Sequence, residues 1–156
     1  MVSGRFLSPI PACAAVRWML TLNDRASEAA TQADATAATD VTGFGLLGQA
    51  YTMVKNSQVD FLISHSAVPV LAHVLELVLS GIVPEGAHKN LQFLEGKVDF
   101  GEGFPQDDKL VLTDPQTSGG ILIATPESNV GRFALAGVYH SIIGKVTWGT
   151  GRLRVQ

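Results

Sequence analysis

The chain has 156 residues, the size of one domain, with 46% hydrophobic and 16% charged residues and a net charge of −3. That balance excludes a disordered polyelectrolyte and leaves no basic field for nucleic acid. No apolar run reaches the roughly 18 residues of a membrane span, and a single cysteine, Cys13, excludes an internal disulfide and fits a reducing, cytoplasmic setting.

Residues 1–20 carry no clean period. They read as an irregular leader with a short helix over 14–20, and Pro9 and Pro11 interrupt the apolar stretch a signal peptide would need. Asn23 is a candidate N-cap for DRASEAATQA, whose Ala26, Ala29, Ala30 and Ala33 form one small-residue face. ATAATDVT reads as a strand of little side-chain bulk. After Phe44, Leu47, Ala50, Tyr51 and Val54 recur at helical spacing, and KNS closes that helix. In VDFLIS, Val59, Phe61 and Ile63 alternate as a strand with one buried face.

Leu71, Val74, Leu75, Val78 and Leu79 predict a strongly amphipathic helix stopped at Gly81 ahead of Pro84. A short helix follows over 86–94. The acidic, Gly- and Pro-bearing stretch 95–108 (EGKVDFGEGFPQDD) reads as an exposed loop. KLVLTD and ILIAT read as strands on either side of DPQTSGG. Thr125 then caps a helix that starts at Pro126 and runs to about Gly137. HSIIGKVTW and RLRV predict a closing hairpin around Gly149, Thr150 and Gly151. The order predicts an α/β or α+β domain, helices packed on a mixed β-sheet, with no internal repeat.

Two stretches carry candidate chemistry. DVTGFGLLG puts Asp40 at a strand end, just before a helix whose dipole and free N–H groups point beyond the strand. Gly43 and Gly45 allow close approach of a ligand. A single carboxylate there suits a hard cation such as Mg²⁺, which completes its shell with phosphate oxygens and water. Asp before Thr-Gly also makes an Asx-turn or N-cap, and from spacing alone that structural reading leads. The glycines match neither a P-loop, which needs a following lysine, nor a dinucleotide fingerprint. In LTDPQTSGG, Pro115 holds Asp114 extended, Thr117 and Ser118 bring hydroxyls, and Gly119 and Gly120 leave amides bare. Such a loop is an anion nest or a hydrogen-bonded turn, and the residue types serve both equally.

The four histidines share no metal-binding spacing. His73 beside the apolar stripe reads as a core-edge residue, and His140 opens a strand. His65, after a strand end, could approach a cleft, and Lys89 beside His88 could meet an anion. Cys13, among Pro11, Ala12, Ala14 and Ala15, lacks the electropositive surroundings of a reactive thiolate.

Taken together, ATDVTGFGLLG followed by LTDPQTSGGILIA resembles the C-terminal domain of the selenophosphate synthetase (selenide, water dikinase) family. That family belongs to the aminoimidazole ribonucleotide synthetase-like superfamily. TLNDRASEAA and the closing GKV…GRLRV segment share the resemblance, which covers residues 20–155. It implies a mixed sheet with ferredoxin-like features, residues 21–156 as the domain itself, and residues 1–20 as a leader at a domain junction. It also implies a cytoplasmic, homodimeric full-length enzyme that uses ATP and Mg²⁺ to convert selenide, ATP and water to selenophosphate, AMP and phosphate. The N-terminal ATP-binding domain, which carries the reactive cysteine or selenocysteine, is then the partner missing from this chain.

Carried over position by position, Asp40 matches a Mg²⁺ ligand at the nucleotide phosphates. Thr42, Gly43, Phe44 and Gly45 form the loop beside it, and Thr117, Ser118, Gly119 and Gly120 face the interdomain cleft. No catalytic residue falls in this chain, and Gln49 stands where the family pattern leads one to expect histidine. The resemblance thus implies half of an enzyme, inactive alone. The alternative is a free-standing, non-catalytic module that binds an anion or a partner.

Overall fold

The computed structural model describes residues 9–156, with side chains from Ala14 onward; Cys13 and residues 1–8 lie outside what is described at side-chain level. A helix α1 spans Pro9–Leu20, so the short helix predicted over 14–20 extends back into residues read as irregular. The chain continues through α2 (Asp24–Gln32), β1 (Ala37–Asp40), α3 (Gly45–Val54), β2 (Val59–Ile63) and a 3-10 turn (His65–Ala67). Next come α4 (Val74–Leu79), α5 (Glu85–Phe93), β3 (Val98–Phe100), α6 (Gln106–Leu112) and β4 (Ile121–Ala124). A second 3-10 turn (Glu127–Asn129), α7 (Gly131–Leu135), β5 (Gly144–Trp148) and β6 (Leu153–Val155) complete it.

The strands form two sheets: an antiparallel pair β1-β4 and a four-stranded mixed sheet ordered β3-β6-β2-β5. The α+β expectation is met. The main core lies where Leu47, Ala50 and Val54 of α3 pack on Phe61 and Ile63 of β2 and on Leu153 and Val155 of β6, closed by Leu94, Val98 and Leu112. The alternation read in β2 is what turns Phe61 and Ile63 to one side, and each such side chain contributes about 1.5–3 kcal/mol by leaving water. A smaller core joins Ala29 and Ala30 of α2, and Ala33 at its C-terminal cap, to Phe133 of α7. The alanine face permits a close approach of the two helices that larger residues would prevent.

Five expectations need correction. The stretch 95–108 contains β3 and the start of α6 and is not an open loop; Val98 is buried under the sheet edge. KLVL is helical, not a strand, because the start signals Pro105 at the N-cap and Asp107 and Asp108 in the first turn outweigh a run too short to show a period. The closing segments are not a hairpin: β2 lies between β5 and β6, antiparallel to the first and parallel to the second. The Gly149–Gly151 connection passes round the end of β2 instead, held by the Asp60 carboxylate, which accepts from the N–H groups of Thr150 (2.8 Å) and Arg152 (2.9 Å).

The Leu71–Leu79 stripe condenses to a six-residue helix beside α6 with no buried residue; Leu75 and Leu79 are exposed. Its start is displaced by His73, which sits in the left-handed region at φ 68. Beyond β4 the predicted helix is split into the 3-10 turn and α7, and Thr125 caps nothing there: its hydroxyl donates to Ala33 O at 2.6 Å.

Candidate functional site

The β1-β4 ladder runs from Ala37 opposite Ala124 to Asp40 opposite Ile121, so it ends where both glycine-bearing loops begin. Pairing continues past the strands, with Val41 N–H donating to Gly120 O (2.8 Å) and Gln116 N–H to Thr42 O (3.1 Å). The two motifs, 74 residues apart from Asp40 to Asp114, are thereby one structural unit. Val41 sits against Gly119 and Gly120, Thr42 against Gln116, and Gly45 against Thr113 and Asp114, while Asp40, Gly43, Thr117 and Ser118 are exposed. Phe44 is exposed and packs beside Phe93 of α5, ring centroids 6.2 Å apart.

Two glycines make this approach possible. Gly45 has φ +66, and a Cβ on it would lie 2.7 Å from the Thr113 carbonyl carbon. A Cβ on Gly119 would fall 2.2 Å from Val41 O. The loops touch backbone to backbone, which only glycine permits at such separations.

Side-chain amides from three other elements fasten the unit, and none of them was singled out as a site residue by the sequence reading. Asn90, on α5, donates from Nδ2 to Gly43 O and to Thr113 O, each at 2.9 Å. Asn23, predicted to cap α2, makes no side-chain cap bond and donates instead to Gly119 O at 3.0 Å. Gln49, on α3, donates to Thr42 Oγ1 (3.0 Å) and accepts from Thr39 Oγ1 (3.5 Å), bridging both sides of Asp40. Gln49 alone left a trace, as the departure from an expected histidine. Thr113 is fully buried, its hydroxyl shared among the carbonyls of Lys109, Leu110 and Ala87.

The carbonyls of Thr42, Gly43, Thr113, Gly119 and Gly120 are taken up by these bonds. The N–H groups of Thr117, Ser118 and Gly119 find no backbone acceptor among the described residues. Together with the exposed hydroxyls of Thr117 and Ser118 they make a concentration of donors suited to an anion. Asp40 is exposed, and among the described residues its carboxylate has no ion-pair partner. It is free to meet a cation. Asp114 differs: half-buried, its carboxyl is pushed above the ordinary range by loss of water, while the Gln116 amide donating to it at 2.7 Å pulls the other way.

The donor chemistry fits one position in the shell of a hard, oxygen-seeking cation at Asp40, shared with phosphate oxygens. Among the described residues no three His, Cys, Asp or Glu side chains cluster to hold a metal by themselves. The histidines stand apart from the two loops in their contacts. His65 meets Asp108 (3.5 Å) and the edge of Phe104; His73 is exposed against Glu76, which corrects its core-edge reading. His140 lies in a loop against Val138 O and Phe133, outside any strand. Lys89 pairs with Glu85 at 2.8 Å.

The AIR synthase related protein, C-terminal domain family matches residues 4–156. The selenide, water dikinase of Citrifermentans bemidjiense is 38% identical over 149 residues, covering 93% of this chain and 43% of that protein. That of Carboxydothermus hydrogenoformans is 36% identical over 142 residues, 88% of this chain and 41% of the relative. A Clostridium botulinum selenide, water dikinase is 39% identical over 115 residues, 74% of this chain and 33% of its own length. The chain therefore spans less than half the length of these curated relatives. It belongs to the AIR synthase related protein, C-terminal domain family, and within that family it is similar to the selenide, water dikinases.

Proposed function

We propose that the chain is the C-terminal domain of a cytoplasmic, ATP- and Mg²⁺-dependent enzyme that converts selenide, ATP and water to selenophosphate, AMP and phosphate. The observation that carries this reading is the β1-β4 pairing, which sets an open carboxylate, Asp40, beside a loop of unpaired donors. Phosphoryl transfer asks a protein for little covalent chemistry and much placement of charge and dipoles, and these two features are a negative charge and a set of donor dipoles held by one ladder.

In that role Asp40 presents negative charge toward a cation, while Thr117, Ser118 and the amides up to Gly120 face phosphate oxygens. Thr42, Gly43, Phe44 and Gly45 set the direction of Asp40. Bound Mg²⁺ would neutralise phosphate charge there. The groups that attack and activate belong to an N-terminal ATP-binding domain, so this domain is inactive alone and the whole enzyme is a homodimer.

The test is Asp40→Ala in the full-length protein. The side chain is exposed and unpaired, so the melting temperature should hold while selenophosphate formation falls by about 100-fold or more, the loss typical of one preorganised charge. A normal rate from this variant sinks the assignment.

A further inference from the structure

We infer that Asn90 is a positioning residue, the clamp that holds the two loops at one fixed separation; the inference rests on the functional reading above. Asn90 is 8% exposed, on the inner side of α5, 47 residues after Gly43 and 23 before Thr113. Its Nδ2 spans Gly43 O in the first loop and Thr113 O at the entry to the second. Both partners are carbonyl oxygens, so only the amide nitrogen can face them, and its two hydrogens serve one each.

The rest of α5 is seated on the same junction. Ala87 O accepts from the buried Thr113 hydroxyl at 3.2 Å. Gly86 lies so close to Pro115 that a Cβ would come within 2.9 Å of its Cγ. One helix thus grips the entry of DPQTSGG and, through a single side chain, the turn of DVTGFG. Asn90 bonds to neither Asp40, Thr117 nor Ser118, so it acts on ligands only through the backbone it fixes. A cation at Asp40 and an anion at the second loop can be held together only if that spacing is kept, and small misplacements cost rate before they cost binding.

Asn90→Ser keeps a polar group but can reach at most one of the two carbonyls; Asn90→Asp turns an oxygen toward both. Amide hydrogen exchange on this chain reads the clamp directly. Gly45 and Gln116 both donate to Thr42 O, and their amides should exchange about ten-fold faster in either variant, because local opening becomes easier. The amides of Phe61 and Gln156 in the large sheet should keep their wild-type rates. In the full-length enzyme kcat per folded molecule, with the folded fraction read by circular dichroism, should fall about ten-fold with KM for ATP nearly unchanged; a ten-fold loss that vanishes on this normalisation would show a merely structural role.

Unchanged exchange at Gly45 and Gln116, equal acceleration across the sheet, or unfolding of both variants overturns the proposal. If the wild-type full-length protein makes no selenophosphate, the functional reading fails while the exchange measurement still decides the role of Asn90.

Discussion

Gly45 adopts φ +66 at the first position of α3, with the Thr113 and Asp114 carbonyls against the face where a side chain would stand. An alanine there meets two penalties: about 1–2 kcal/mol for the left-handed backbone, and about 1–3 kcal/mol more for crowding atoms that cannot move aside. Gly45→Ala should therefore lower unfolding free energy by about 3 kcal/mol in urea titrations. Gly43→Ala is the control. Nothing lies within 4 Å of its would-be Cβ, and its effect should stay within about 0.5 kcal/mol. Equal losses from the two would mean that the loops do not touch as described. At this scale a close approach at Gly45 could be read from the sequence, because glycine alone permits it, although what approaches is the backbone of the second loop. Asn23 and Asn90 could not, since an asparagine suits any exposed turn and its partner here lies 96 or 47 positions away.

Elements were readable where their period is long. α3, with Leu47, Ala50 and Val54 spaced over ten residues, occupies the predicted span, and so does the alternating β2. Short apolar runs gave no such signal: KLVL has the length of one helical turn or of a short strand, and burial of Leu110 and Leu112 beside α5 decided between them. The supposed hairpin failed for a different reason. Gly-Thr-Gly is turn chemistry, but turn chemistry does not say whether the strands it joins are neighbours, and here Asp60 draws the connection across β2. The Asp60 carboxyl is held below its ordinary range, chiefly by the Arg152 and Thr150 N–H groups and further by the charge of Arg154. A depressed folded-state pKa adds stability above the unfolded value, about pH 3.9, and that stability is lost as pH falls through the folded one. Asp60→Ala should therefore denature at lower urea than wild type at pH 7, with the gap narrowing below about pH 4. A gap constant down to pH 2 would show that the carboxylate does not hold the connection.

For the whole molecule the proposed function raises the question of how much of a nucleotide site these loops supply. The described residues offer one open carboxylate and one loop of donors, joined by a ladder of four residue pairs and clamped from outside by three amides. Neither half is strong alone: an exposed charge in water attracts its partner by only about 1 kcal/mol at contact distance, and Mg²⁺ gives up its waters reluctantly. Nothing in the two loops places an apolar cleft around a purine, where drug-sized ligands bury most of their surface. Phe44 and Phe93 are both about half exposed. Calorimetric titration of this chain with Mg-ATP should therefore give a Kd weaker than about 1 mM, less than about 4 kcal/mol of binding. The same titration of the full-length protein should bind, and Asp40→Ala should weaken it most at low Mg²⁺, where the metal's hold on its remaining ligands is limiting. Micromolar binding by the isolated chain would place the nucleotide site wholly within it. Asp40 would then need partner carboxylates on this same chain, and the division of the site between two domains would be wrong.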